Sequence, residues 1–296
     1  MAEERIITMM IILSTVILIS LVGNLLVVGI SVFYIRLQSL TVIFILNLAL
    51  SDLLSTVGLI FSFCENIWNL PFGDAACRVA SFFHSTGFYS SIIFLALMSF
   101  QHYMAIVDPL SVWKKGRGFT TILICVWVLS FLAALPAIEQ SVALDICMYN
   151  SSTAVLVAIT YRENIVFVCA FLFNGFCYIR ILQTILKSPT NQNQRHRTTG
   201  LTFLLVASFF ICWAPYNIMK FLYTLIYYQI WSLNLDHFFN AYYICRLLAF
   251  SHCCLNPVIY GLSDLKFHET EREILQRRAT FNSAGIETQE HLSSSS

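Results

Sequence analysis

At 296 residues, 58% hydrophobic and only 11% charged, the chain lies far below the roughly 25% charge that keeps a soluble domain solvated. A net charge of +1 excludes the basic grooves that hold nucleic acid, and a mean hydropathy of +0.74 points to lipid. No Cys-x-x-Cys, HExxH, GxSxG or phosphate-binding loop is present, so neither an enzyme nor a zinc-stapled domain is expected.

Seven segments reach the about 20 apolar residues that a helix needs to cross a bilayer. They are 7–34, 42–66, 76–107, 119–138, 161–186, 200–228 and 238–261. The expected fold is therefore an all-α membrane bundle over 7–261, with residues 1–6 ahead of it. The first segment is too long for a signal peptide and meets no small-residue cleavage site before Arg36-Leu37-Gln38. Lys and Arg gather in alternate connections: Arg36; Lys114, Lys115 and Arg117; Lys187, Arg195 and Arg197; and Lys266, Arg272, Arg277 and Arg278. The other connections carry mainly acids (Glu65, Asp74, Glu139, Asp145, Glu163, Asp236) against Arg78 and Arg162. By the positive-inside bias the N-terminus faces outward and the tail inward.

Within the spans the polar residues carry the information. Asp52 lies mid-span, where an acid costs about 2.5–3.5 kcal/mol even on lenient scales and requires partners. Cys77 and Cys147 both fall on the outer side, where a disulfide survives, and the sequon Asn150-Ser151-Ser152 shares that side. Trp213 with Pro215 makes a bulky, kinked pivot in the sixth span. Asn256-Pro257 interrupts the seventh, an arrangement tolerated only where it faces protein or water. Beyond it, 262–278 has Ser263 or Asp264 as a cap and Leu265, Phe267, Ile274 and Leu275 among charges, the pattern of a short amphipathic helix on the inner leaflet. Residues 279–296 have the polar composition of a disordered tail, either a phosphate acceptor or a plain solubilising end.

Gly23-Asn24, Leu46-Asn47-Leu48-Ala49-Leu50-Ser51-Asp52, Trp127, Cys212-Trp213-Ala214-Pro215 and Asn256-Pro257-Val258-Ile259-Tyr260 resemble the rhodopsin-like (class A) G-protein-coupled receptors, one motif per helix in order. Trp68-Asn69-Leu70-Pro71-Phe72-Gly73 ahead of Cys77, with Ser251-His252-Cys253-Cys254, narrows the resemblance to chemokine receptors. Arg195-His196-Arg197-Thr198 and the run from Ile244 to Cys254 are most similar to the XC (lymphotactin) branch. The resemblance extends over about 20–275 of the chain.

It implies a multi-pass plasma-membrane receptor for an XC-type chemokine, coupled to inhibitory G proteins in leukocyte chemotaxis, with arrestin as a further partner. It implies that Asp52 gathers Asn24, Ser91 and Asn256 into a sodium pocket that collapses on activation. His252 would add a polar ligand there and weaken the sodium. The alternative is a hydrogen-bonded network without an ion. Trp213, Tyr178 and Tyr260 resemble the residues that rearrange on activation. Glu65, Lys220 and Arg246 fall in the ligand pocket by family register. Arg246 stands where most chemokine receptors place an acid, so the reversed charge suits a ligand segment carrying acids. The alternative there is an internal ion pair of Arg246 with Glu65 or Glu163.

Four departures from the family pattern modify this expectation. The third span ends Gln101-His102-Tyr103 where the family has Asp-Arg-Tyr, so the locking acid and the guanidinium fork under the G protein are both replaced. Only Glu3 and Glu4 stand for the acidic N-terminal segment that captures the chemokine globule, so either the true start lies elsewhere or high-affinity capture is lost. Neither 1–10 nor 229–237 holds a cysteine for the usual tie between N-terminus and third outer loop. The second span has Gly58 and Ile60 in the region of its usual proline, which predicts a straighter helix. The expected function is thus a signalling chemokine receptor, against a decoy that binds and does not couple, or a degenerate chain that does neither.

Overall fold

The computed structural model describes residues 2–34, 40–68, 73–108, 117–143, 147–149, 153–187, 193–228, 230 and 235–262. Seven long helices account for most of them: α1 (Ala2–Gly29, continued by a π-helical turn, Ile30–Tyr34), α2 (Leu40–Trp68), α3 (Gly73–Val107), α4 (Arg117–Gln140), α5 (Thr153–Lys187), α6 (Asn193–Tyr227) and α7 (Leu235–Leu262). A small antiparallel ribbon, β1 (Ser141–Ala143) with β2 (Cys147–Tyr149), joins α4 to α5 and sets Val142 opposite Met148. It is the one departure from the all-α expectation among the described residues.

Helices are the form that satisfies every backbone N–H and C=O without water, which is what lipid demands. Among the described residues six helices are long and apolar enough to cross a membrane; α7 is not among them. The sequence accounts for that, since α7 carries Asp236, His237, Arg246, His252 and Asn256. Its polarity marks an inward-facing helix. α1 starts at Ala2, ahead of the expected position 7, because Ala2, Glu3 and Glu4 are good helix formers whose acids suit a helix N-terminus. α2 is one unbroken helix, as its missing proline predicts. The sequon at Asn150, the expected amphipathic helix from 263 on and the tail at 279–296 lie outside the described residues.

α3 is the centre of the bundle and packs on α2, α4, α5 and α6, while α1 lies against α2 and α7. The outside is apolar, and polar side chains are buried among the apolar core inside. Leu26, Leu129, Leu172, Ile211 and Ile244 are exposed on the outside, and Asn24, Asp52, Asn174, Thr202 and Asn256 are buried inside. Two glycines set helix spacing. A Cβ on Gly23 would lie 2.6 Å from Pro257 Cβ, and one on Gly87 would lie 2.7 Å from the Ser51 carbonyl oxygen. So the α1 backbone meets the Pro257 ring of α7, and the α3 backbone meets that of α2.

Candidate functional site

The kink in α7 opens the site. Pro257 has no N–H, so the Cys253 carbonyl four residues earlier loses its helical partner. Asn24 of α1 supplies one, its Nδ2 donating to Cys253 O at 3.0 Å and to its own helix at Ser20 O, 2.9 Å. Ser20 in turn donates to Thr56 Oγ1 at 2.6 Å, since the Thr56 proton is directed to Asp52 O at 2.7 Å. Three helices are stitched by one chain of hydrogen bonds.

Asp52 lies at the middle of it, 0% exposed. Its Oδ2 accepts from Asn256 Nδ2 at 2.7 Å. Its Oδ1 has no hydrogen-bond partner and lies 3.6 Å from His252 Nε2. His252 Nδ1 donates to Ala249 O at 2.6 Å, so a neutral ring carries its proton there and presents the Nε2 lone pair. The Cys253 thiol is 3.5 Å from the same Nε2. Above this layer the His252 ring packs on Trp213 (centroids 5.3 Å) and Phe209 (5.5 Å). Trp213 continues into Phe88 at 4.4 Å and His84 at 5.7 Å, which ties the polar layer to the aromatic core.

Toward the end of α3, contacts among the described residues join neutral side chains. His102, buried at 6% exposure, shares a hydrogen bond of 2.9 Å with Thr202 of α6. Gln101 accepts from Thr41 of α2 at 3.5 Å, at the outer limit of a hydrogen bond. Tyr103 turns to α5, where its ring meets Phe176 at 5.9 Å. Ser99 donates to Asn174 Oδ1 of α5 at 2.6 Å and lies 3.5 Å from the Tyr178 hydroxyl. Tyr260 is buried on α7.

The opposite end, which holds Cys77, is charged. Lys220 of α6 makes an ion pair with Glu163 of α5, and its ammonium lies 4.6 Å from the Tyr216 ring centroid. Arg162 Nε donates to Tyr89 Oη of α3 at 3.1 Å. The Tyr216 and Tyr242 hydroxyls, on α6 and α7, are 3.2 Å apart. Arg246 lies over the Phe250 ring at 5.2 Å and has no ion pair among the described residues. Glu163 is held by Lys220, so the expected alternative of an Arg246–Glu163 pair is not what forms; the side chain of Glu65 lies outside the described residues. Cys77 is disulfide-bonded and buried, and the side chains of Cys64 and Cys147 also lie outside the described residues.

The family described as 7 transmembrane receptor (rhodopsin family) matches residues 23–260. Chemokine XC receptor 1 of Mus musculus is 39% identical over 267 residues, which cover 89% of this chain and 81% of that protein. The Homo sapiens protein of the same name is 38% identical over 270 residues, 88% and 79% of the two chains. C-C chemokine receptor type 8 of Homo sapiens is 34% identical over 284 residues, 90% and 79% of the two chains. The chain belongs to the chemokine receptors of the rhodopsin family. It is a seven-helix membrane receptor, and its family is not one of enzymes.

Of the residues expected around Asp52, the receptor brings Asn256 and His252 to the carboxylate. Asn24 does not reach it, because its amide is engaged by the carbonyl that Pro257 freed, and the buried Ser91 hydroxyl makes no hydrogen bond. This bears on the expected sodium ion. A hard cation takes a shell of oxygens. A carboxylate oxygen of Asp52, an imidazole nitrogen of His252 and the thiol sulfur of Cys253 lie within 4.8 Å of one another, and Asn24 Oδ1 and the Ser55 and Ser91 hydroxyls are buried without a hydrogen-bond partner.

Sequence reasoning also missed several residues. Ser20 with Asn24, and Asp52 with Thr56, are four apart and share a helix face, so that pair of spacings could have placed them in one network. Ser99, Asn174, Tyr89 and Thr202 had no such signal.

Proposed function

We propose that this receptor binds a chemokine of the XC type and signals through inhibitory G proteins in leukocyte chemotaxis. It lies in the plasma membrane with its N-terminus and Cys77 outside, and Cys147 is the partner of Cys77. The observation that carries the ligand reading is Arg246. It is a guanidinium on α7 over the Phe250 ring, at the end that also holds Arg162 over Tyr89 and Lys220 over Tyr216, and the acid described there, Glu163, is already engaged by Lys220. A ligand segment bearing carboxylates would find there a cation without an ion pair among the described residues, and by family register Glu65 and Lys220 belong to the same pocket. Asn150 carries glycan, and the tail recruits arrestin once phosphorylated. The test is labelled XC-chemokine binding to cells that display the chain. Arg246→Glu should weaken binding at least tenfold, and unchanged affinity with equal surface staining would end this reading.

A second reading has its own observation. Gln101-His102-Tyr103 puts a neutral ring where a guanidinium reaches under the G protein, and that ring is bonded to Thr202. In this reading the receptor captures chemokine as a decoy and couples weakly, with Tyr178 and Tyr260 rearranging without consequence for G protein. Inhibitory G-protein activation measured beside binding separates the two. A full response favours the signalling receptor; binding with silence that His102→Arg reverses favours the decoy.

A further inference from the structure

We propose that the Lys187 end of α5 holds an anionic phospholipid with a phosphorylated headgroup, its phosphates on Arg180 and Lys187 and one acyl chain in an apolar groove between α3 and α5. The orientation proposed above decides only which leaflet supplies the lipid; the site itself stands on the side chains. Cys169, Leu172, Phe176, Arg180, Gln183 and Lys187 follow one another at spacings of three or four residues, so they form one stripe along α5. All six are exposed, Leu172 at 64% and Phe176 at 54%. The stripe that turns Cys169, Leu172 and Phe176 to lipid therefore turns Arg180 to lipid as well. A cation in a spanning segment ordinarily faces the bundle interior. Arg180 does not, and neither it nor Lys187 has an ion pair among the described residues. The α5–α6 hairpin that carries them offers no acid, since no Asp or Glu stands between Glu163 and Asp236. On a lipid-facing stripe the anion within reach is the lipid phosphate, toward which both long side chains can snorkel.

A second observation gives the acyl chain its place. Arg162 of α5 donates to Tyr89 of α3 toward one end of the bundle, and Ser99 of α3 donates to Asn174 of α5 toward the other. Between these clamps Ala96 and Ala170 are too small to fill the space between the helices. They leave a groove of about 350 Å3, lined also by Leu97, Phe100, Val166 and Phe173 and by no polar surface. Phe173, 41% exposed, sets its mouth on the lipid side. Arg180 follows Phe173 by seven residues, two helical turns, so the two share a face about 10 Å apart along α5. That distance lies within the about 15 Å depth of one leaflet's hydrocarbon, so a lipid whose phosphate meets Arg180 reaches the groove with its chain. Lys187 stands two turns beyond Arg180, again about 10 Å, a spacing that suits two anionic groups on one headgroup. The guanidinium fork takes the phosphodiester, and the ammonium takes a further phosphate as a point charge.

The test is lipid retention by the full-length receptor in detergent, read by native mass spectrometry. The probes are an equimolar mixture of dioleoyl phosphatidylcholine, phosphatidylserine and phosphatidylinositol bisphosphate. The unmutated receptor should retain the bisphosphate about tenfold over phosphatidylcholine, with phosphatidylserine between them, and a rise in salt should narrow the gap. Arg180→Leu, an apolar side chain suited to a lipid face, should cut bisphosphate retention about fivefold, and Arg180→Lys should recover part of it. Lys187→Gln should bring the bisphosphate down to the level of phosphatidylserine. Ala170→Leu, which fills the groove, should weaken the dioleoyl bisphosphate and leave its dibutanoyl form unchanged. Equal retention of the three lipids, or an Arg180→Leu receptor that retains the bisphosphate like the parent, would overturn the proposal. Phosphatidylserine held as firmly as the bisphosphate would overturn the second phosphate, and undiminished dioleoyl retention in Ala170→Leu would overturn the chain's place in the groove. A micelle leaves both ends of the receptor open to lipid, so none of these outcomes depends on orientation or on chemokine binding.

Discussion

At the Cys77 end, α5 and α6 are joined by the Lys220–Glu163 ion pair and α5 is held to α3 by a guanidinium on Tyr89. At the His102 end, among the described residues, α3 meets α6 through a neutral hydrogen bond of 2.9 Å and α2 through a contact of 3.5 Å. Charge-assisted bonds are about twice as strong as neutral ones, so the two ends differ in how readily they open. The end that would receive a ligand is stiff and preformed. The end that would have to open for a partner is held by bonds worth about 0.5–1.5 kcal/mol each. Between them the Asp52 layer and the Trp213 stack form a tightly joined middle.

Breaking the stiff end should cost most. Lys220→Met leaves Glu163 largely buried without its cation, which costs about 3–5 kcal/mol. Thermal unfolding in detergent should show a clear drop, and Lys220→Met with Glu163→Gln should recover part of it. A single variant as stable as the parent would mean that the pair contributes nothing. The middle should respond next. Gly23→Val drives methyls into Pro257 and should cost about 1–3 kcal/mol, read as reduced surface expression. Normal expression would show that α1 can back away from α7.

Asn256→Ala leaves Asp52 Oδ2 unsatisfied and should cost about 1–3 kcal/mol in the same unfolding assay. Asn256→Asp, which puts a second carboxyl against Asp52, should not rescue it; if it did, the donated hydrogen bond would be beside the point. The loose end should respond least. Thr202→Val removes the partner of His102, costs about 1 kcal/mol and should raise basal G-protein activation. Basal activity at or below the parent's would show that this bond does not hold the end shut.

Much of the bundle was legible in the chain because lipid leaves few choices. Runs of about 20 apolar residues must be helices, and an Asn-Pro within one must face inward. Asp52 and Asn256 declared themselves as polar residues in apolar runs, and they do meet. What the chain hid was direction. Asn24 is one residue past Gly23 on a helix pressed to α7, and only that close approach shows that its amide reaches Cys253 O rather than the carboxylate. Glu163 and Arg246 differ in charge and both lie at the Cys77 end, yet Lys220 takes the acid because α6 lies between α5 and α7. Thr202 was one threonine in an ordinary helical run; its role exists only because His102 is short enough to stop at it.

The bond from Asn24 to Cys253 joins positions 229 residues apart. α1 leaves the ribosome first and α7 last, so the amide of Asn24 and the carbonyl freed by Pro257 wait for each other through the whole of synthesis. Contacts of such sequence separation form late and slowly. Until α7 is inserted, Asp52 also lacks its Asn256 partner, so a chain stopped after α6 carries two unmet polar groups in lipid. Assembly is therefore sealed by the final helix, and quality control that senses polar groups in the membrane would read α7's arrival as the sign that the bundle is complete.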